Sequence, residues 1–151
     1  MHNPAAARAR FMADAVATAS PAKLLTMLYD RLVLDLSRAE RAQETGDRGE
    51  ANTQLQHAQD VVTELHASLD TSGAWAGAAG LAGLYTFLAS ELVEANVTGD
   101  PARTASCRAV VEPLREAWHQ AAAQVGQGAP AVPAQRAGSS APAGGLLSVS
   151  A

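Results

Sequence analysis

Six small or aliphatic residues, Ala51, Leu55, Ala58, Val62, Leu65 and Leu69, recur at alternating intervals of four and three. No other feature of the chain constrains its fold so tightly. An interval averaging three and a half residues holds side chains on one narrow line of an α-helix. That line has to lie along a partner helix over about five turns. Asp70-Thr71-Ser72-Gly73 closes the segment.

The partner helices carry their own punctuation. Ser20-Pro21 is a helix start: the Ser hydroxyl can accept a free first-turn N–H, and Pro at the first position lacks only an N–H that would be unpaired anyway. From there Leu25, Leu28, Leu32 and Leu36 form one stripe, and Met27 and Leu34 a second on another side. Lys23, Asp30, Ser37 and Arg41 make a polar edge; Arg31, Asp35 and Arg38 make a charged line. The helix is expected to run to about Thr45, with Gly46 as its stop and Asp47 capping the next helix. So short a turn makes the two helices antiparallel.

A Gly/Ala-rich linker, Trp75 to Gly83, has weak local preference. The third helix is expected from about Leu81, with Leu84, Leu88, Leu92 and Ala95 inward and Asn96 and Gly99 at its end. Asp100-Pro101 repeats the cap-then-Pro device and opens a fourth helix with Cys107, Val111, Leu114, Trp118, Ala121 and Val125 inward. Pro113 inside it predicts a kink near Ala109–Val110.

These segments predict an all-α, antiparallel four-helix bundle over residues 18–125. Residues 1–17 are read as a mobile N-terminal arm in which a short helix is possible, with Phe11 and Val16 as anchors. Residues 126–151, nineteen of them Gly, Ala, Pro or Ser, are read as a disordered tail. At 151 residues the chain can bury one self-sufficient core, and its thirty-five alanines suit closely packed helices. The net charge of −4, without a basic stripe, argues against nucleic acid. No apolar run is long enough for membrane insertion, and no signal-peptide core is evident. The single Cys107 excludes an internal disulfide. A cytoplasmic protein is the expectation.

Candidate chemistry is sparse. Glu116-Ala117-Trp118-His119 matches the Glu-x-x-His element of di-iron bundles, but that site needs a second such element and two further inward Glu residues. His57 and His66, nine apart on one helix, cannot converge on one ion. Surface positions are expected for the histidines. Cys107 falls on an inward stripe, where a thiol is inert packing. No Gly-rich phosphate loop follows a strand. Neither a cofactor, a metal nor a catalytic group is assigned. The alternative to a binding module is a metal or small-ligand bundle in which Glu116 and His119 form half of an intersubunit site.

What remains is surplus apolar material. Met27, Leu34, Val61, Phe87 and Val93 fall off the inward faces by a count of about 100° per residue. With Phe11 and Val16 they suggest a groove that an arm or a partner helix could fill.

Four ordered segments carry a family resemblance. They are Thr18-Ala19-Ser20-Pro21 with Leu24 and Met27-Leu28-Tyr29-Asp30; Ala58-Gln59-Asp60 through Glu64-Leu65 and Ser68-Leu69; Leu92-Val93-Glu94-Ala95-Asn96 with Asp100; and Leu114-Arg115-Glu116-Ala117-Trp118. Together they resemble the flagellar secretion chaperone family, FliS, over about residues 11 to 122. The resemblance implies a non-enzymatic four-helix chaperone. Its partners would be the C-terminal region of newly made flagellin and a component of the flagellar export gate. It further implies that the arm covers part of the client groove, Phe11 standing where the family has a tyrosine and Val16 where it has an aliphatic residue. On this reading the client meets Phe11, Val16, Leu24, Met27, Leu28, Tyr29, Leu34, Val61, Leu65, Leu84, Tyr85, Phe87 and Asn96. The chain departs from the family at Ala22, commonly acidic, at Tyr85-Thr86-Phe87, usually Tyr-Asp-Tyr, and at Ala89-Ser90, usually a basic pair. The third helix therefore offers a less basic face than is typical.

Overall fold

A computed structural model describes residues 3–10, 20–70, 72 and 76–126. Residues 4–10 form a short helix, α1, whose start is capped by Asn3: its Oδ1 accepts from the Ala5 and Ala6 N–H groups at 3.1 and 3.2 Å. The rest of the arm, with Phe11 and Val16, and the tail beyond residue 126 lie outside the described residues.

Four long helices follow: α2 (Pro21–Glu44), α3 (Arg48–Ser68), α4 (Ala78–Thr98) and α5 (Pro101–Gly126). The start signals act as their chemistry dictates. Ser20 Oγ accepts from Lys23 N at 3.2 Å, Asp47 Oδ1 from Glu50 N at 3.1 Å, and Asp100 Oδ1 from Ala102 N at 2.9 Å. Gly46 and Gly99, the stops after α2 and α4, take φ values of +77° and +70°, a left-handed conformation that costs a side-chain-bearing residue a steric clash. α5 continues as helix through Pro113, which is exposed, so its ring is directed away from the packed interior.

Helix α4 begins at Ala78, earlier than its sequence suggests, and Gly77 at its start supplies no side-chain cap. Packing substitutes for the missing local signal: Ala78 is 3% exposed and joins Leu81 in the core. Tertiary burial outweighs the helix cost of glycines such as Gly80 and Gly83.

Helix α2 packs against α3 and α5, and α4 packs against the same two. α2 and α4 therefore stand on one diagonal of an antiparallel square, α3 and α5 on the other. The core runs along the axis through Leu25, Leu32, Leu36, Leu55, Val62, Leu65, Leu88, Leu92 and Val111. Trp118, expected inward, is 7% exposed.

Three assignments from the sequence are corrected. Asp35, read as part of a charged line with Arg31 and Arg38, is fully buried. Val61, counted as outward, is 6% exposed; it lies one turn from His57, on the side of α3 that faces α2. In α4 the inner position expected for Leu84 is held by Tyr85, and Leu84 is half-buried at the edge. One cause serves the first two. A helix wedged between two neighbours buries an arc wider than a single stripe, so residues flanking the seam are covered as well.

Candidate functional site

Polar links cross the interior at defined levels. Near the α2 N-terminus the hydroxyls of Tyr29 and Tyr85 meet at 2.6 Å across the bundle diagonal. The Trp118 ring lies 6.3 Å from that of Tyr29. Burial pushes the Tyr29 pKa up, partly opposed by bonds from Tyr85 and Trp118. At the opposite end one amide joins three helices: Gln43 Nε2 donates to the Ala95 carbonyl at 3.0 Å, and its Oε1 accepts from Thr104 Oγ1 at 2.7 Å. These bonds satisfy buried groups and fix how the helices abut.

Between these levels, buried Asp35 binds His57 Nδ1 through Oδ2. Arg31 Nε lies 3.0 Å from Oδ1, off the angle of a hydrogen bond, so charge alone links them. The α2–α5 seam is tied by Arg108 to Glu40 at 2.9 Å, and by Asp30 to Arg115 at 2.6 Å and His119 at 2.7 Å. Partial burial pushes the Asp30 carboxyl up, but hydrogen bonds and charge from His119 and Arg115 outweigh it and hold the group below its usual range. Arg103 joins Glu91 at 3.2 Å across α4–α5. Asn96 donates to Asn52 at 2.7 Å across α3–α4.

Neither a nucleophile nor a metal-binding group emerges among the described residues. Cys107 is 1% exposed, and burial with the nearby Glu91 carboxylate, only partly offset by Arg103, pushes its thiol up to about 11, so it is not a thiolate at neutral pH. His119 is engaged by Asp30, Glu116 is exposed, and no three His, Cys, Asp or Glu side chains converge as a metal site. A polar cleft of about 460 Å³ lies at the Gln43 end, lined by Arg48, Asn52, Asn96 and Gly99; a smaller one of about 290 Å³ lies beside His66.

The chemistry left to the surface is apolar. Leu34 is 40% exposed, Phe87 51%, Val93 47% and Val97 68%. Met27 is half-buried on the same outward side of α2 as Leu34. Of the other residues expected to meet a client, Leu24, Leu28 and Leu84 are half-buried, and Asn96 is half-buried and bonded to Asn52. Tyr29, Leu65 and Tyr85 are fully buried, and Val61 nearly so; all four are core. Because α2 and α4 are diagonal, Met27 and Leu34 cannot line one groove with Phe87 and Val93; they form two separate faces. Val97, missed in the sequence, stands one turn beyond Val93 and was open to the same angular count.

Residues 2–125 match the family described as "Flagellar protein FliS". The flagellar secretion chaperone FliS of Bacillus subtilis is 30% identical over 111 residues, covering 74% of this chain and 82% of that protein. Its counterpart from Salmonella typhimurium is 32% identical over 111 residues, covering 71% and 80%. A crystal structure of a bacterial flagellar chaperone superposes with a TM-score of 0.64 at 19% identity, covering 81% of this chain and 99% of the other, a likeness of fold. A family match over most of the chain, together with two relatives aligned over most of their length, places this protein in the FliS family of flagellar secretion chaperones.

Proposed function

We propose that this protein binds the C-terminal region of newly made flagellin in the cytoplasm, prevents its premature polymerisation and delivers it to a component of the flagellar export gate. The observation that carries the binding mode is the outer face of α4. Phe87, Val93 and Val97 are exposed there among small residues, Gly83, Thr86 and Ser90, and the charged side chains of this helix are only Glu91 and Glu94. Exposed apolar area on a helix is the surface on which a segment without structure of its own gains helix as it docks. Such coupled folding covers a large surface, while the cost of ordering the client keeps the complex releasable.

Calorimetry against the organism's flagellin, full length and lacking its C-terminal region, tests the reading. The full-length client binds and the truncated one does not; equal affinities refute the mode. Phe87→Asp combined with Val93→Asp is expected to weaken binding by about tenfold or more, the equivalent of about 1.4 kcal/mol or more, with melting nearly unchanged. Deleting residues 1–17 is expected to strengthen or speed client binding. Weaker, slower binding would make the arm part of the site rather than its cover.

A further inference from the structure

Four cations line the outward side of α2. Lys23, Arg31, Arg38 and Arg41 are all exposed, and they flank the stripe of Met27 and Leu34. Three of the four acids of this helix are turned elsewhere: Asp30 to Arg115 and His119, Glu40 to Arg108, and Asp35 inward to His57; the fourth, Glu44, is exposed at the C-terminal end. Arg31 is drawn to Asp35, whereas the side chains of Lys23, Arg38 and Arg41 have no partner among the described residues. Between Lys23 and Arg41 the face thus carries net positive charge on a protein of net charge −4.

We infer that this face is a second docking surface, separate from the α4 face, for a partner's amphipathic helix whose apolar stripe is flanked by acidic residues. The stripe from Lys23 to Arg41 is about 27 Å long at 1.5 Å per residue, which a partner helix of about five turns matches. Leu and Met side chains of that helix pack on Met27 and Leu34, while its carboxylates meet the cations on either side. Charge complementarity sets partner choice and speeds encounter.

Other occupants fit worse. The arm, residues 1–17, contains one acid, Asp14, against Arg8 and Arg10, and the tail contains Arg136 and no acidic side chain. A second copy has exposed large apolar residues on α4, but that helix brings only Glu94 unpaired. The inference does not depend on flagellin binding, because it rests on a different face.

The test uses the full chain and a fluorescent 20-residue peptide with Leu at helical spacing and Glu on both flanks, beside the same peptide with Lys for Glu. Anisotropy is expected to show binding of the Glu peptide at low salt, about tenfold or more tighter than the Lys peptide, and weakening as salt rises. Arg38→Glu with Arg41→Glu should invert that preference, and Leu34→Asp should weaken the Glu peptide about tenfold, each with unchanged helicity and melting. The Glu peptide should bind equally well when flagellin is already bound. Absence of Glu-peptide binding, equal binding of both peptides, or indifference to the charge reversal overturns the proposal. So does displacement of the peptide by flagellin, or a sedimentation change in Leu34→Asp that reveals a second copy on this face.

Discussion

Helices α2 and α4 occupy opposite corners of the same square and bury similar seams, yet their exteriors differ. α2 sends three of its four acids sideways into α5 and inward to α3, keeping cations around Met27 and Leu34. α4 has almost no charge to arrange, and apolar residues occur on every side of it, with Phe87, Val93 and Val97 in solvent. The difference teaches that the buried seam and the outer face answer to separate demands. Both seams satisfy the same need to exclude water from one axis. The exteriors are free of that need, and each carries its own arrangement of charge and apolar area.

The sharpest way to break this comparison is within α4 itself. Leu88→Ala, on the seam and 1% exposed, is expected to destabilise the protein by about 3 kcal/mol in urea unfolding, through lost burial and a residual cavity. Phe87→Ala, its outward neighbour, should stay within about 0.5 kcal/mol. Similar losses at both positions would show that Phe87 belongs to the core. Around α2 the corresponding pair is His57→Ala, on α3 against the buried Asp35 of α2, and Arg38→Ala on the outer face of α2. Removing His57 strips buried Asp35 of its hydrogen bond and is expected to cost about 2 kcal/mol, whereas Arg38 should cost almost nothing.

A smaller effect sharpens how the two corners are joined. Tyr29→Phe and Tyr85→Phe each remove one side of the diagonal hydroxyl pair. Each should cost about 1 kcal/mol, and the double variant less than the sum, because one bond is lost in all three. Strict additivity would mean that the two hydroxyls do not interact.

The smallest effect is a pH dependence. Asp30 has a depressed pKa in the folded state, so its link to α5 adds stability above the unfolded value of about 3.9. That stability is lost as pH falls through the lower folded value. The pair is partly exposed and screened, so its share is at most about 1 kcal/mol. Melting followed from pH 6 to pH 2 should fall less steeply for Asp30→Asn than for the unchanged protein.

Much of this was legible beforehand. The caps at Ser20, Asp47 and Asp100 and the stops at Gly46 and Gly99 act within a few residues of themselves, so their chemistry is written locally. The α3 seam was equally clear, because an alternation of four and three has one helical meaning. Less legible were Asp35 and Val61, whose burial depends on how far α2 and α3 enclose each other's flanks. The start of α4 at Ala78 was hidden for a related reason: its glycines speak against helix, and only contact with the rest of the core favours it.

The sequence by itself determined the helices, their order, their antiparallel turns and the family to which the chain belongs. Only the tertiary structure decided which apolar residues share a face. Angular counting places a residue around its own helix, but whether two stripes meet depends on which helices are neighbours. The diagonal placement of α2 and α4 turned one expected groove into two surfaces, and it brought Tyr29 and Tyr85 off the surface into contact at the centre.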